Sequence, residues 1–83
     1  MTQYLIMCRS LTDAQRSQRI LERAGITAVL VKAPQGLNTM GCGYALSIRR
    51  QVKEAADILE KNKLLKGKIF WRKDGQDFQE VRR

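Results

Sequence analysis

Two cysteines and no histidine set the side-chain chemistry open to this sequence. Without imidazole there is no Ser-His-Asp triad, no Cys-His dyad and no zinc site built on histidine, and two widely separated thiols cannot form a metal cage alone. What remains is the chemistry of a single activated thiol, or of an Arg/Lys cluster. Of the two thiols, Cys42 stands between Gly41 and Gly43. Flanking glycines open backbone conformations closed to other residues and let a partner's chain approach the sulfur, and their amides can form an anion-binding nest. The plainer reading of Gly-Cys-Gly is a tight turn carrying an inert thiol. Cys8 lies in the apolar run Tyr4-Leu5-Ile6-Met7-Cys8 and reads as a packing residue, since free cysteine is among the most buried residue types.

A nucleophilic thiol must be ionised, so the elements that could surround Cys42 matter. Gln3-Tyr4-Leu5-Ile6-Met7-Cys8-Arg9 predicts a central strand. Thr12, with Asp13 behind it and Gln15 three positions on, predicts the N-cap and capping box of a first helix over residues 13–24, which Gly25 ends. The β-branched stretch 26–33 predicts a second strand, and Pro34 opens the loop that runs through Gly43. Tyr44, Leu46 and Ile48 alternate with Ala45, Ser47 and Arg49 as in a half-buried third strand. Val52, Ala55, Ala56 and Leu59 restore helical spacing over residues 51–62, and residues 68–72 predict a fourth strand. Asp74-Gly75 signals a two-residue hairpin leading to a short fifth strand through Phe78 and Val81.

The order βαββαβ predicts an α+β, ferredoxin-like sandwich in which a four-stranded antiparallel sheet carries two helices on one face, with a short C-terminal fifth strand as an extension. Residues 1–83 would then form a single domain, with a core over residues 3–72 and a basic hairpin or tail over residues 73–83. In that topology the end of the first strand, the start of the first helix, the loop up to Gly43, and the end of the second helix meet at one edge. Thr12, Gly41, Gly43, Lys61, Lys63, Lys66 and Lys68 would therefore gather around Cys42, and a helix N-terminus and cations both favour a thiolate.

Composition sets the setting. Sixteen Lys and Arg against eight Asp and Glu give a net charge of +8, which favours acidic partners, nucleic acid included. The absence of a secretory signal and of paired Cys-x-x-Cys motifs predicts a cytoplasmic protein with reduced thiols, and no stretch reaches the length of a membrane span. No cofactor or metal is called for.

Tyr4-Leu5-Ile6, Thr12-Asp13-Ala14, Ala24-Gly25-Ile26, Pro34 and Cys42-Gly43-Tyr44-Ala45-Leu46 together resemble a small bacterial Se/S carrier protein-like family over roughly residues 3–72. The chain departs from that pattern at Gln35-Gly36, where the family has an arginine after the loop proline. The resemblance implies a carrier or accessory protein more than a turnover enzyme. In it Cys42, supported by Gly43, would hold sulfur or selenium as a persulfide-type adduct between a donor and an acceptor protein. Two other readings compete. One is a nucleic-acid-binding module using Arg16, Arg19, Arg23, Arg49, Arg50 and the lysine cluster, although the third strand shows no paired stacking platform. The other is an adaptor or homo-oligomer docking through Leu5, Met7, Val29 and Val31 on the face away from the helices, unless the tail covers them.

Overall fold

A computed structural model describes residues 2–34, 43–65 and 67–81. Along the chain run β1 (Thr2–Met7), α1 (Leu11–Arg23), β2 (Val29–Lys32), β3 (Tyr44–Ile48), α2 (Val52–Lys61), β4 (Ile69–Lys73) and β5 (Gln79–Val81). The strands form one antiparallel sheet in the order β2-β3-β1-β4-β5. The first four strands keep the ferredoxin-like arrangement, and β5 extends the sheet beyond β4. Among the described residues no helix is long and apolar enough to cross a membrane.

Alternation along β1 divides the interior in two. Ile6 and Cys8 join Leu46, Ile48 and Ile69 of the neighbouring strands and Ala14, Leu21, Ala55, Ala56 and Leu59 of the helices in one buried cluster. Both helices therefore pack on one face of the sheet. Leu5 and Met7 point the other way and cluster with Ala45 and Phe70, flanked by Val31, Ala33 and Phe78. Leu5 is only 1% exposed, so the middle of this second face is covered, whereas Val29 at its β2 margin is 52% exposed. Phe78 contributes to the cover, whereas Val81 packs against the helix-side cluster, because β5 pairs Val81 with Ile69. The tail thus divides its apolar residues between the two faces instead of laying both over one.

The helix ends show where local sequence acts. Ser10, not Thr12, is the N-cap of α1: its hydroxyl accepts the Asp13 N–H at 3.1 Å, and Thr12 is the second residue of the helix. Leu11 is accommodated in the first turn, so the helix starts before the Thr12 signal. At the other end Gly25, at φ +81°, lets Ile26 N–H donate to Leu21 C=O (2.9 Å) and Gly25 N–H to Glu22 C=O (3.0 Å), the paired bonds of a Schellman motif. α2 ends the same way, with Leu64 N–H on Leu59 C=O (2.8 Å) and Lys63 N–H on Glu60 C=O (3.0 Å). Here the left-handed position is filled by Lys63, at φ 59°.

Two boundaries differ from expectation. β2 is confined to Val29–Lys32, because Ile26 and Ala28 are buried in the connection that leaves the Schellman motif. The β4–β5 connection turns at Asp74 and Gly75, with Gln76 N–H on Lys73 C=O at 3.0 Å and Gly75 at φ +81°. Ladder pairing with β5 resumes only at Trp71 and Gln79, so the loop is longer than a two-residue hairpin.

Candidate functional site

The strand directions bring one set of elements to one end of the sheet. β1 ends there at Met7 and Cys8, and α1 begins there at Ser10. β2 enters its loop at Ala33, β3 starts at Gly43 and Tyr44, and α2 ends at Lys61 just before Gly67 and Lys68 lead into β4. Hydrogen bonds fasten the edge: Cys8 N–H donates to Tyr44 C=O at 3.2 Å, Met7 N–H to Lys68 C=O at 2.9 Å, and Ala33 N–H to Gly43 C=O at 2.6 Å. Of the expected site residues, Thr12, Gly43, Lys61, Lys63 and Lys68 belong to this end. Gly41, Cys42 and Lys66 lie outside the described residues.

Each described candidate has a specific environment. Thr12, Lys61 and Lys63 are exposed. Lys68 is half-exposed and pairs with Glu80 of β5 at 3.2 Å, so part of its charge is spent across the β4–β5 edge. At partly exposed positions such a pair contributes about 0–1 kcal/mol and leaves the side chain able to swing. Gly43 has no atom of the described residues within 4 Å of where a Cβ would stand, and its φ lies outside the left-handed region. It does not need a glycine backbone, contrary to expectation.

The glycine that the packing does demand is Gly67, which sequence reasoning passed over. A Cβ there would strike the Met7 carbonyl oxygen and lie 3.0 Å from the Met7 carbonyl carbon. The available signal was a lone glycine among lysines immediately before a strand. Cys8 is 5% exposed, and its thiol donates to Ile6 C=O at 3.6 Å. It is a buried core residue, as expected.

A family model described as "Putative Se/S carrier protein-like" matches residues 3–70. The chain belongs to this family. The matched span of the Se/S carrier-like chain runs from β1 into β4 and takes in both helices and the Gly-Cys-Gly segment. Comparison with curated proteins and with solved structures finds no match to either.

The face of the sheet opposite the helices bears on the nucleic-acid reading. Gln3 links two neighbouring strands, its Nε2 donating to Ser47 Oγ at 3.0 Å while its Oε1 accepts from Arg72 Nε at 3.2 Å. The Arg72 guanidinium stacks 4.4 Å from the centre of the Phe78 ring. Phe70 is buried in the cluster beside them. Among the described residues Gln3, Ser47 and Arg72 are tied together across this face, Phe70 is buried and the half-buried Phe78 carries Arg72 against its ring, so no pair of bare rings is offered for base stacking. No group of three or more His, Cys, Asp or Glu that could hold a metal occurs among the described residues.

Proposed function

We propose that this Se/S carrier-like protein accepts and hands on a chalcogen through Cys42. The observation that carries the reading is membership of the family across residues 3–70, a span that includes Cys42. In the forward step the Cys42 thiolate attacks the terminal sulfur of a donor persulfide. A Cys42 S–S bond forms, the donor's S–S bond breaks, and the donor leaves as a thiolate while Cys42 carries the persulfide. No oxidant or reductant is consumed, and the same displacement serves for selenium. Transfer to an acceptor thiol repeats the step in the other direction.

The surroundings support this chemistry. The N-terminal end of α1 and the exposed Lys61 and Lys63 belong to the same end of the sheet as Gly43, and both kinds of group favour a thiolate. An acidic partner suits the +8 chain. Gly41 and Lys66 complete the proposed site, and a reducing cytoplasmic setting completes the proposal.

The test is the pH dependence of Cys42 alkylation, with mass spectrometry after incubation with a small-molecule persulfide. The buried Cys8 should not compete, and Cys8→Ala verifies that. An apparent pKa below about 8.5 together with one transferable sulfur on Cys42 is expected. A thiol of ordinary pKa that acquires no adduct would overturn the proposal.

A further inference from the structure

β2 forms one margin of the sheet: it pairs with β3, and among the described residues no strand lies on its outer side. In an antiparallel ladder successive residues turn their N–H and C=O alternately toward the partner strand and away from it. Ala33 N–H donates to Gly43 C=O at 2.6 Å, and the register of Val31 with Ala45 and Val29 with Ser47 carries that phase down the strand. The backbone groups of Leu30 and Lys32 therefore face outward. Those of Ala28 do so as well, but the Ala28 carbonyl already accepts from the Gln18 amide at 2.9 Å.

An open strand edge is a template for a further strand, and proteins blunt it with charge, proline or short length. β5, at the opposite margin, is blunted: it is three residues long and begins with the exposed Gln79 and Glu80. β2 instead presents Val29, Leu30 and Val31, with Lys32 the only charge in the strand. Val29 is 52% exposed and lines an open cleft of about 570 Å³ with Thr27, Ser47 and Arg49.

Charge decides what this edge fits. Two copies of a chain of net charge +8 repel one another unless they meet where that charge is absent. The Gln18 bond identifies the flank of α1 that runs beside β2, and helical spacing puts Leu11, Gln15 and Glu22 on the same flank, while Arg16, Arg19 and Arg23 turn away from it. Glu22 and Lys32 balance each other along this margin, and Arg49 is already engaged within the chain. An acidic partner would be drawn to the basic surfaces elsewhere. The β2 margin is neutral and apolar.

We infer that β2 is a homodimer interface, at which a second copy of this chain adds its own β2 antiparallel about a two-fold axis and continues the sheet. The Gln18–Ala28 bond selects the register. With Ala28 committed, the outward groups left are those of Leu30 and Lys32, so Leu30 N–H and C=O bond Lys32 of the second copy and Val31 meets its own equivalent on the axis. The row Val29-Val31-Ala33, on the face away from the helices, is then met by Ala33-Val31-Val29, apolar against apolar. Lys32 lays its aliphatic stem along the opposing Leu30. The dimer and the thiol chemistry are independent, and either can fail while the other stands.

Sedimentation equilibrium in reducing buffer, where no Cys42 disulfide can link two chains, tests the inference. The mass should rise from 9.5 kDa toward twice that as the protein approaches about 1 mM, the weak association expected of a small interface. Amide hydrogen exchange reads the register. Leu30 and Lys32 should gain protection as concentration rises, whereas Val29 and Val31, bonded to β3, should be protected throughout. Val29→Lys puts a charge into the apolar row from a position already exposed, and Lys32→Pro removes an outward N–H while sparing the β3 ladder. Each should weaken dimerisation by about tenfold or more, and Gln79→Lys at the other margin should leave it unchanged. A chain still monomeric at about 1 mM would overturn the inference. So would a dimer that survives both β2 variants, or one lost in Gln79→Lys. Full protection of Leu30 and Lys32 in the monomer would overturn it too, since the edge would then be covered within one chain.

Discussion

The two ends of the sheet are built on opposite principles. At the end holding Gly43, strands are drawn together by backbone bonds, and Gly67 packs so tightly on Met7 that no side chain fits. At the end holding Arg49 and Arg50, the walls stand apart around about 570 Å³ of cleft, and Gly25 has nothing within 4 Å of where a Cβ would be. Among the described residues, one margin of this small α/β sheet is closely packed and the other holds an open cleft. The same pair of helices serves both, since α1 starts where α2 ends.

The sharpest way to separate the ends is a crossed experiment. Cys42→Ser should abolish chalcogen uptake, while R49Q/R50Q at the other end should leave it unchanged. Loss of uptake in R49Q/R50Q would mean that the ends are coupled and the division drawn above is false. Next in size is a pair of glycine substitutions at the platform. Gly67→Ala should cost about 1–3 kcal/mol in urea unfolding, the usual penalty for overpacking. Gly43→Ala should stay within about 0.5 kcal/mol of wild type and slow chalcogen transfer only. Equal losses from the two would show that Gly43 is as confined as Gly67.

The smallest effect compares the joints of α2, where each end of the helix carries a left-handed residue that is not glycine. Lys63→Gly should raise stability by about 1 kcal/mol, because it relieves a left-handed backbone already held by the Schellman bonds. Gln51→Gly should give a similar or smaller gain. A loss at Lys63 would mean that its side chain contributes packing or charge worth more than the strain.

Legibility followed the range of the interactions. The alternation of Tyr44, Leu46 and Ile48 and the helical spacing of Ala55, Ala56 and Leu59 revealed the faces that are buried, because burial imposes its period directly on sequence. Gly25 revealed a helix end because its left-handed geometry is local. Thr12 was read as the cap because Asp13 and Gln15 follow it, and only the packing of the first turn gives that role to Ser10. Gly67 was illegible because its constraint comes from Met7, distant in sequence and adjacent in space. The cleft was illegible for the same reason: Thr27 and Ser47 are unremarkable until β2 and β3 pair. Of the thiol site, the motif could be read but not its charge environment, since the Lys68–Glu80 pair depends on a fifth strand that sequence only hinted at.

β1 gives its even-numbered side chains to one core and its odd-numbered ones to the other. A slip of one residue would exchange the two sets. Leu5 would take the place of Ile6 at little cost, but Met7 would have to fit where Cys8 now sits, and Gln3 would carry its amide to the helix side without Ser47 or Arg72 to receive it. The amide of Gln3 and the short side chain of Cys8 therefore act as a key cut on both edges. They set the phase of the central strand, and with it the burial of the Cys8 thiol.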